Sequence, residues 1–316
     1  MIVRWGLSEL PGTLADVGIA RPFVIASGRW QHLVLPRHVA RLTEVPTTDP
    51  KVPAEADGIL AIGGGSAIDT GKHASAQSGL PVVHVPTTYS GAEWTTFFGV
   101  RSPDRLMRGG GAGAHPAALV YDVDLTLDLP RPESVGTALN ALAHCAEALY
   151  VQGRTPEGDE QALTGARLIA QWLPRVAAEG SDREAREGLL RGAAHAGHAL
   201  ALSGLALGHA MAQALGGRYG VAHGAMNALC LPPALTFNRA IVPAEVARFG
   251  DAIGGEPVER TRELALLAPF TDLRAYGIPR DDLPSVAEAA AERAGNLANP
   301  RPATPAEILE LLQSIW

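Results

Sequence analysis

The sequence predicts an α/β N-terminal domain built on a parallel sheet, followed by an all-helical C-terminal domain. Three observations carry this. Short apolar runs alternate with a helix-compatible segment over the first third of the chain. A glycine run sits where one of those apolar runs meets that segment, in "AIGGGSAIDTGK" (61–72). After "DLPRPES" (128–134) the texture becomes Ala/Leu-rich with helical periods. The expected domains are therefore 1–130 and 131–316.

The strands come first. "PFVIAS" (22–27), "GILAIGG" (58–64), "PVVHVPTT" (81–88) and "AALVYDV" (117–123) are short apolar runs of the kind buried in a sheet. "SAIDTGKHASAQSG" lies between the second and third and ends at glycine, as a helix does. Strand, helix, strand at this spacing implies parallel pairing through a crossover. The segment "TEVPTTDPKVPAEADG" is too proline-rich and too short for a crossover helix. In the second part, Pro174, Pro232, Pro233, Pro243 and Pro257 are read as punctuation between helices. No internal repeat is evident.

Composition narrows the function. The 316 residues carry a net charge of −7 and are 47% hydrophobic, enough for a sizeable core. No lysine or arginine run stands out, so nucleic acid is not an expected partner. Cys145 and Cys230 both lie in apolar surroundings and read as buried thiols of a reducing compartment. The N-terminus "MIVRWGLSEL" lacks a signal-peptide core. The most apolar stretch, 193–216, is interrupted by His195, His198, Ser203 and His209 and is a poor membrane span. A cytoplasmic protein acting without a membrane is the expectation.

A helix N-terminus offers unpaired N–H groups and the positive end of its dipole. Glycines just before it let a phosphate reach the backbone, so Gly63, Gly64, Gly65 and Ser66 suit a pyrophosphate. Tight packing alone would also account for such a turn. The next strand ends in "HVPTTYSGAEWT", and Thr87, Thr88 and Ser90 there offer hydroxyls to a ribose or an amide. Helix capping by Thr88 or Ser90 is the competing reading. In the second part, "GTALNALAHCAEALY" places Asn140 and His144 four residues apart on one helix face. "LGHAMAQALGGRYGVAHGAMNALCLP" adds His209, Gln213 and His223. Burying so many polar groups on apolar helices costs free energy unless they are paired or bind something. A functional site is expected there.

Taken together, "GGGSAIDTGK", "VPTTYSGAEWT", "NALAHCAEALY", "GHAMAQALGG", "AHGAMNALCLP" and "NPRP" resemble, in order, the motifs of the iron-containing alcohol dehydrogenase superfamily. The maleylacetate reductase branch is the most similar. The resemblance implies a Rossmann-like dinucleotide-binding domain joined to a helical domain, with the active site in the cleft between. It implies NADH or NADPH at Gly63, Gly64, Gly65, Ser66, Asp69, Thr87, Thr88 and Ser90. It places the family's metal-ligand positions, for iron or zinc, at Asn140, His144, His209 and His223. Asn140 stands where metal-dependent members have an aspartate, and a neutral amide is a poor substitute on a divalent ion. The maleylacetate reductase branch also has asparagine there, which implies catalysis without metal.

Other departures bear on the site. Gln213 replaces a usual active-site histidine, and Pro233 replaces another. The stretch from Ser27 to Gly64 is shorter than the family's by about a helix and its connection. The usual lysine near the cofactor is missing, leaving Arg105 or Arg108 to take its place. Ser27 stands where NAD-selective members carry an acid, so a 2′-phosphate is permitted. His198, eleven residues before His209 on the same apolar stretch, could share a helix face with it. His195 reads as a packing residue. The expected activity is an NAD(P)H-dependent reduction of a carbonyl or conjugated enone of a small molecule by a homodimer. His209, His223, His144 and His198 are the candidates for proton transfer. The alternative is an enzyme of this fold that has lost redox chemistry and uses its histidines for cyclisation, isomerisation or elimination.

Overall fold

Strands that are apolar on both faces belong in the middle of a parallel sheet covered on each side. Pro22–Ala26 and Gly58–Gly63 are buried along their whole length. In the computed structural model, which describes residues 1–316, they lie side by side at the centre of such a sheet. By contacts the chain forms two compact units, Met1–Thr88 with Ala92–Leu127, and Tyr89–Gly91 with Asp128–Trp316.

The first unit runs β1 (Ile2–Trp5), α1 (Leu10–Asp16), β2 (Pro22–Ala26), β3 (Ala40–Leu42), β4 (Gly58–Gly63), α2 (Gly65–Ser78), β5 (Pro81–Pro86), β6 (Phe98–Arg101), β7 (Met107–Gly111) and β8 (His115–Tyr121). Six strands pair in the order β1-β8-β5-β4-β2-β3, and all five pairings are parallel. One face packs Val24, Leu60, Ile62, Val83 and Val120 against Leu10 and Leu14 of α1. The other packs Phe23, Ile25, Ile59, Ala61 and Val82 against Ile68 and Ala74 of α2. Segment 43–57 contains no helix.

Four elements of this unit are not in the sequence reading: β1, α1, β3 and the antiparallel hairpin β6–β7. The short strand β3 and the 3₁₀ turn Gly28–Trp30 occupy the stretch in which the crossover helix is missing. The hairpin lies on α2. There Lys72 is buried, and its ammonium donates to the carbonyls of Ala92 (2.8 Å) and Phe97 (2.6 Å) and to Thr95 Oγ1 (3.0 Å). It also pairs with Asp69 at 3.0 Å.

The second unit is helical throughout: α3 (Arg131–Ala148), α4 (Pro156–Ala178), α5 (Arg183–Ser203), α6 (Leu207–Tyr219), α7 (His223–Arg239), α8 (Pro243–Ile253), α9 (Pro257–Ala265), α10 (Leu283–Ala291), α11 (Ala294–Leu297) and α12 (Pro305–Gln313). The starts carry the expected chemistry. Thr155 caps α4 through Gly158 N–H, Asp182 caps α5 through Ala185 N–H, and Thr304 with Glu307 forms a capping box on α12. Pro243 and Pro257 open helices, but Pro174, Pro232 and Pro233 lie inside α4 and α7. Reading those three as breaks is wrong. Both helices bury a long face, and that burial outweighs the lost backbone bonds.

No single helix is long and apolar enough to cross a membrane. The pair α5 and α6 passes by length and composition only, and it is bent by 102°. Cys145 and Cys230 are free and buried, and burial pushes both thiols up from their ordinary range.

Replacing Lys72 with methionine keeps the bulk and removes every one of these donors. The carbonyls of Ala92 and Phe97 are then left to share the hydroxyl of Thr95. We expect Lys72→Met to lower unfolding free energy by roughly 2–4 kcal/mol, read from the midpoint and slope of urea denaturation. A shift under about 0.5 kcal/mol, the size of a neutral surface change, would show that the ammonium does not tie the hairpin to α2.

Candidate active site

The first group of predicted residues gathers where β4 passes into α2. Gly63 ends the strand, and its carbonyl accepts the N–H of Thr87 at 3.0 Å. Gly64 is the helix N-cap and has no side chain to cap with, so no side chain occupies the amides at the start of α2. A Cβ on Gly64 would lie 2.9 Å from Thr88 Cγ2, so only glycine lets the turn close on the next strand. Packing therefore explains part of the glycine run. It leaves one observation over: Thr88 Oγ1 is buried without a hydrogen-bond partner. Neither Thr88 nor Ser90 serves as a helix cap, and Ser90 Oγ is likewise buried and unpartnered.

Asp69 is turned inward. One carboxylate oxygen pairs with Lys72 and the other accepts the N–H of Gly99 at 3.2 Å. That leaves it a poor direct ligand, in contrast to the expectation from the sequence. Arg108 is also committed, to Ser102 Oγ at 2.7 Å and Asp104 at 3.0 Å, and Arg105 sits at the hairpin turn with a φ of 66°.

The second group gathers in the helical unit. His144 from α3 and His209 from α6 stack with ring centroids 4.7 Å apart, and His223 at the start of α7 lies 5.9 Å from His209. Asn140, one turn before His144, donates to Ser90 O at 2.9 Å and approaches His144 Nε2 at 3.4 Å. Its Oδ1 accepts from Asn227 Nδ2 at 2.7 Å, and the same amide donates to His223 Nε2 at 3.0 Å. Gly91, with a φ of 73°, closes the wall: a Cβ there would meet Gly197 Cα at 2.9 Å and His144 Nδ1 at 3.4 Å.

Two residues of this site escape the sequence reading. Asn227 is one, and a signal was available, since it lies four residues after His223 on the same helix. Glu147 is the other. It is fully buried, and its Oε2 accepts from His209 Nδ1 at 2.8 Å and from Ala206 N–H at 2.7 Å. Its Oε1 accepts from His209 N–H at 3.0 Å. Asn140, His144 and Glu147 follow the spacing i, i+4, i+7 and so share one face of α3. A carboxylate inside "ALAHCAEALY" was the legible clue.

These bonds fix the imidazoles. His209 donates through Nδ1 to Glu147, which leaves Nε2 buried and unpartnered. His144 Nδ1 is also buried and unpartnered. Burial first, then the charges of His209 and His223, hold the His144 imidazole well below its ordinary range, so it is neutral at pH 7. His209 is the imidazole backed by a carboxylate, the arrangement that stabilises a transient imidazolium.

His198 stands on α5, a different helix from these three. The apolar stretch breaks after α5 at Gly204, whose φ of 103° suits glycine, and α6 leaves at 102° to α5. His198 and His209 therefore share no helix, and the face argument fails. The charge that acts on His198 is that of Glu157. His195 bonds Gln161 Oε1 at 2.7 Å, as a packing residue would.

The same bonds test the metal. As arranged, the four family positions do not fit a divalent ion. Asn140 Oδ1 and His223 Nε2 both accept from Asn227, and the rings of His144 and His209 are stacked rather than aimed at one point. No group of three His, Cys, Asp or Glu side chains is arranged to hold a metal ion.

Glutamine at 147 cannot accept three N–H donors without turning its own amide toward one of them. We expect Glu147→Gln to destabilise the protein by roughly 2–4 kcal/mol, measured by chemical denaturation. Wild-type stability would show that the carboxylate is not the anchor of α6.

The sequence compares with known proteins as follows. The model described as "Fe-containing alcohol dehydrogenase family, C-terminal" matches residues 134–316, and "Iron-containing alcohol dehydrogenase" matches residues 52–122. Maleylacetate reductase 1 of Rhodococcus opacus is 35% identical over 265 residues, 83% of this chain and 74% of that protein. Maleylacetate reductase of Pseudomonas knackmussii is 32% identical over 98% of this chain and 93% of its own. The crystal structure of maleylacetate reductase from Rhizobium sp. superposes with a TM-score of 0.86 at 28% identity, covering 100% of this chain and 95% of that one. A 1,3-propanediol oxidoreductase, at 22% identity and a TM-score of 0.91, shares the fold. The chain is an enzyme, an oxidoreductase acting on a small molecule, and it belongs to the iron-containing alcohol dehydrogenase family on its maleylacetate reductase-like side.

Proposed function

We propose that the protein is an NAD(P)H-dependent reductase that delivers a hydride to a carbonyl, or to an alkene conjugated with one. Maleylacetate, named in its relatives, belongs to that substrate class. The observation that carries the nucleotide part is the start of α2: a glycine N-cap without a capping side chain, beside the buried and unpartnered hydroxyl of Thr88. A pyrophosphate would take the free amides and that hydroxyl. Ser27 follows β2 directly and brings no carboxylate against a 2′-phosphate, so both NADPH and NADH are admitted.

The histidine cluster supplies the proton. A bound dihydronicotinamide would supply the hydride, leaving negative charge on the carbonyl oxygen or, after conjugate addition, on an enolate. The proton is needed at that oxygen or at the carbon adjacent to the carbonyl. In this reading the His209 imidazolium, held by Glu147 at Nδ1, donates the proton from Nε2, becomes neutral and then regains a proton from solvent. Asn140 and Asn227 orient His144 and His223 and cannot themselves give up a proton at neutral pH.

Titration with NADPH and NADH, followed by nicotinamide fluorescence, tests the cofactor. Wild type should bind at least one, and Gly64→Val should bind neither. Because the new side chain meets Thr88, Gly64→Ala combined with Thr88→Ser serves as a second variant in which the contact is relieved. Undiminished binding in a folded Gly64 variant would remove the dinucleotide. No binding by wild type, with an intact histidine pocket, would favour acid–base chemistry without redox.

For the proton donor we expect His209→Ala to lower turnover by a factor of roughly 10²–10⁴ with little change in cofactor affinity. His198→Ala, on α5, should turn over like wild type. The reverse ranking of the two variants in steady-state assays would mean that the wrong imidazole has been chosen.

A further inference from the structure

The glycine turn needs a cation for a pyrophosphate, and neither arginine suggested by the sequence is well placed to supply it. Arg108 is bonded within its own hairpin. The hairpin runs along α2 in a direction that points to another residue. Phe97 O meets Lys72, the Phe98 ring stacks on His73 at 5.3 Å, and Gly99 N–H meets Asp69. Strand β6 thus travels toward the start of α2 as the chain advances. A strand rises about 3.3 Å per residue and a helix 1.5 Å. Two residues beyond Gly99, the strand draws level with the helix about one turn before Asp69, which is Gly65.

Arg101 is the residue at that point. It is half-buried, and one of its guanidinium nitrogens donates to Arg105 O at 3.2 Å. The register of the hairpin shifts between Val100 and Arg101, the kind of irregularity that re-aims a side chain. Burial lowers the Arg101 guanidinium from its ordinary range, and Asp69, in the second turn of α2, acts against that. Beside Gly64, Thr88 Oγ1 is buried without a partner.

Resting on the nucleotide reading above, we propose that Arg101 is the pyrophosphate-binding cation of this enzyme, reaching the start of α2 from the hairpin. The ligand chemistry it recognises is the bridging diphosphate shared by NADH, NADPH and ADP. Asp69 then acts as a positioning residue: it ties Gly99 to α2 and so sets the height at which Arg101 stands.

Binding of NADPH and ADP by calorimetry, at two salt concentrations, provides the test. Arg101→Gln keeps a donor for Arg105 O and removes the charge, and Arg101→Ala removes both. Each should weaken both ligands by roughly ten- to a hundred-fold, the range for losing a charge-assisted bond, and should flatten the salt dependence. Arg101→Lys should recover much of the loss, and Arg108→Ala should bind as wild type does. Wild-type affinity and salt dependence in both uncharged variants would overturn the role of Arg101 while leaving the nucleotide reading intact. Failure of wild type to bind NADPH, NADH or ADP would overturn both.

Discussion

The histidine site depends on one buried carboxylate. Glu147 accepts from the imidazole of His209 and from the backbone at Ala206 and His209. A carboxylate at a helix N-terminus is stabilised by unpaired amides and by the dipole. The cap of α6 and the orientation of His209 are therefore the same interaction. It also explains the break before α6. The chain must turn at Gly204 for the first amides of α6 to face α3, and a straight continuation of α5 would carry His209 away from Glu147. Cluster geometry here follows from helix capping.

Around that anchor the amides form a relay. Ser90 O accepts from Asn140, Asn140 accepts from Asn227, and Asn227 donates to His223. Three segments distant in sequence are held by neutral groups where metal-dependent relatives would hold them through an ion. Amides provide direction without charge, so the relay orders the imidazoles and leaves them free to exchange protons. A carboxylate at 140 would keep the acceptor for Asn227 and lose the donor to Ser90 O. The asparagine thus belongs with Asn227 as a pair.

Much of this was legible in the sequence. Runs such as "GILAIGG" cannot hide both faces except inside a covered parallel sheet. Asn140, His144, His209 and His223 stood out because polar groups on apolar helices need partners. What stayed hidden depends on pairing at long range. β3 is only three residues long and is a strand because β2 offers it an edge. Glu147 reads as one more acid in a helix until Ala206 and His209 are brought to it. His198 was misplaced because apolar composition runs unbroken through 193–216, and composition does not record a bend of 102° made by one glycine conformation.

The lysine count carries the last step. The chain has two lysines, Lys51 and Lys72. Lys51 is exposed beside Asp49, at 86%. Lys72 stands about two turns after the glycine run, yet its ammonium is wholly engaged by carbonyls, a hydroxyl and Asp69. A buried ammonium with its donors satisfied cannot swing to a ligand without giving up these bonds, a cost of roughly 2–4 kcal/mol. The lysine that sits in the glycine-turn helix is thus structural: it fastens the hairpin. For an anion at that turn, the cation proposed above, Arg101, stands on the hairpin that Lys72 holds in place. Fold and recognition are linked through it, since loosening the ammonium would release the strand that carries Arg101.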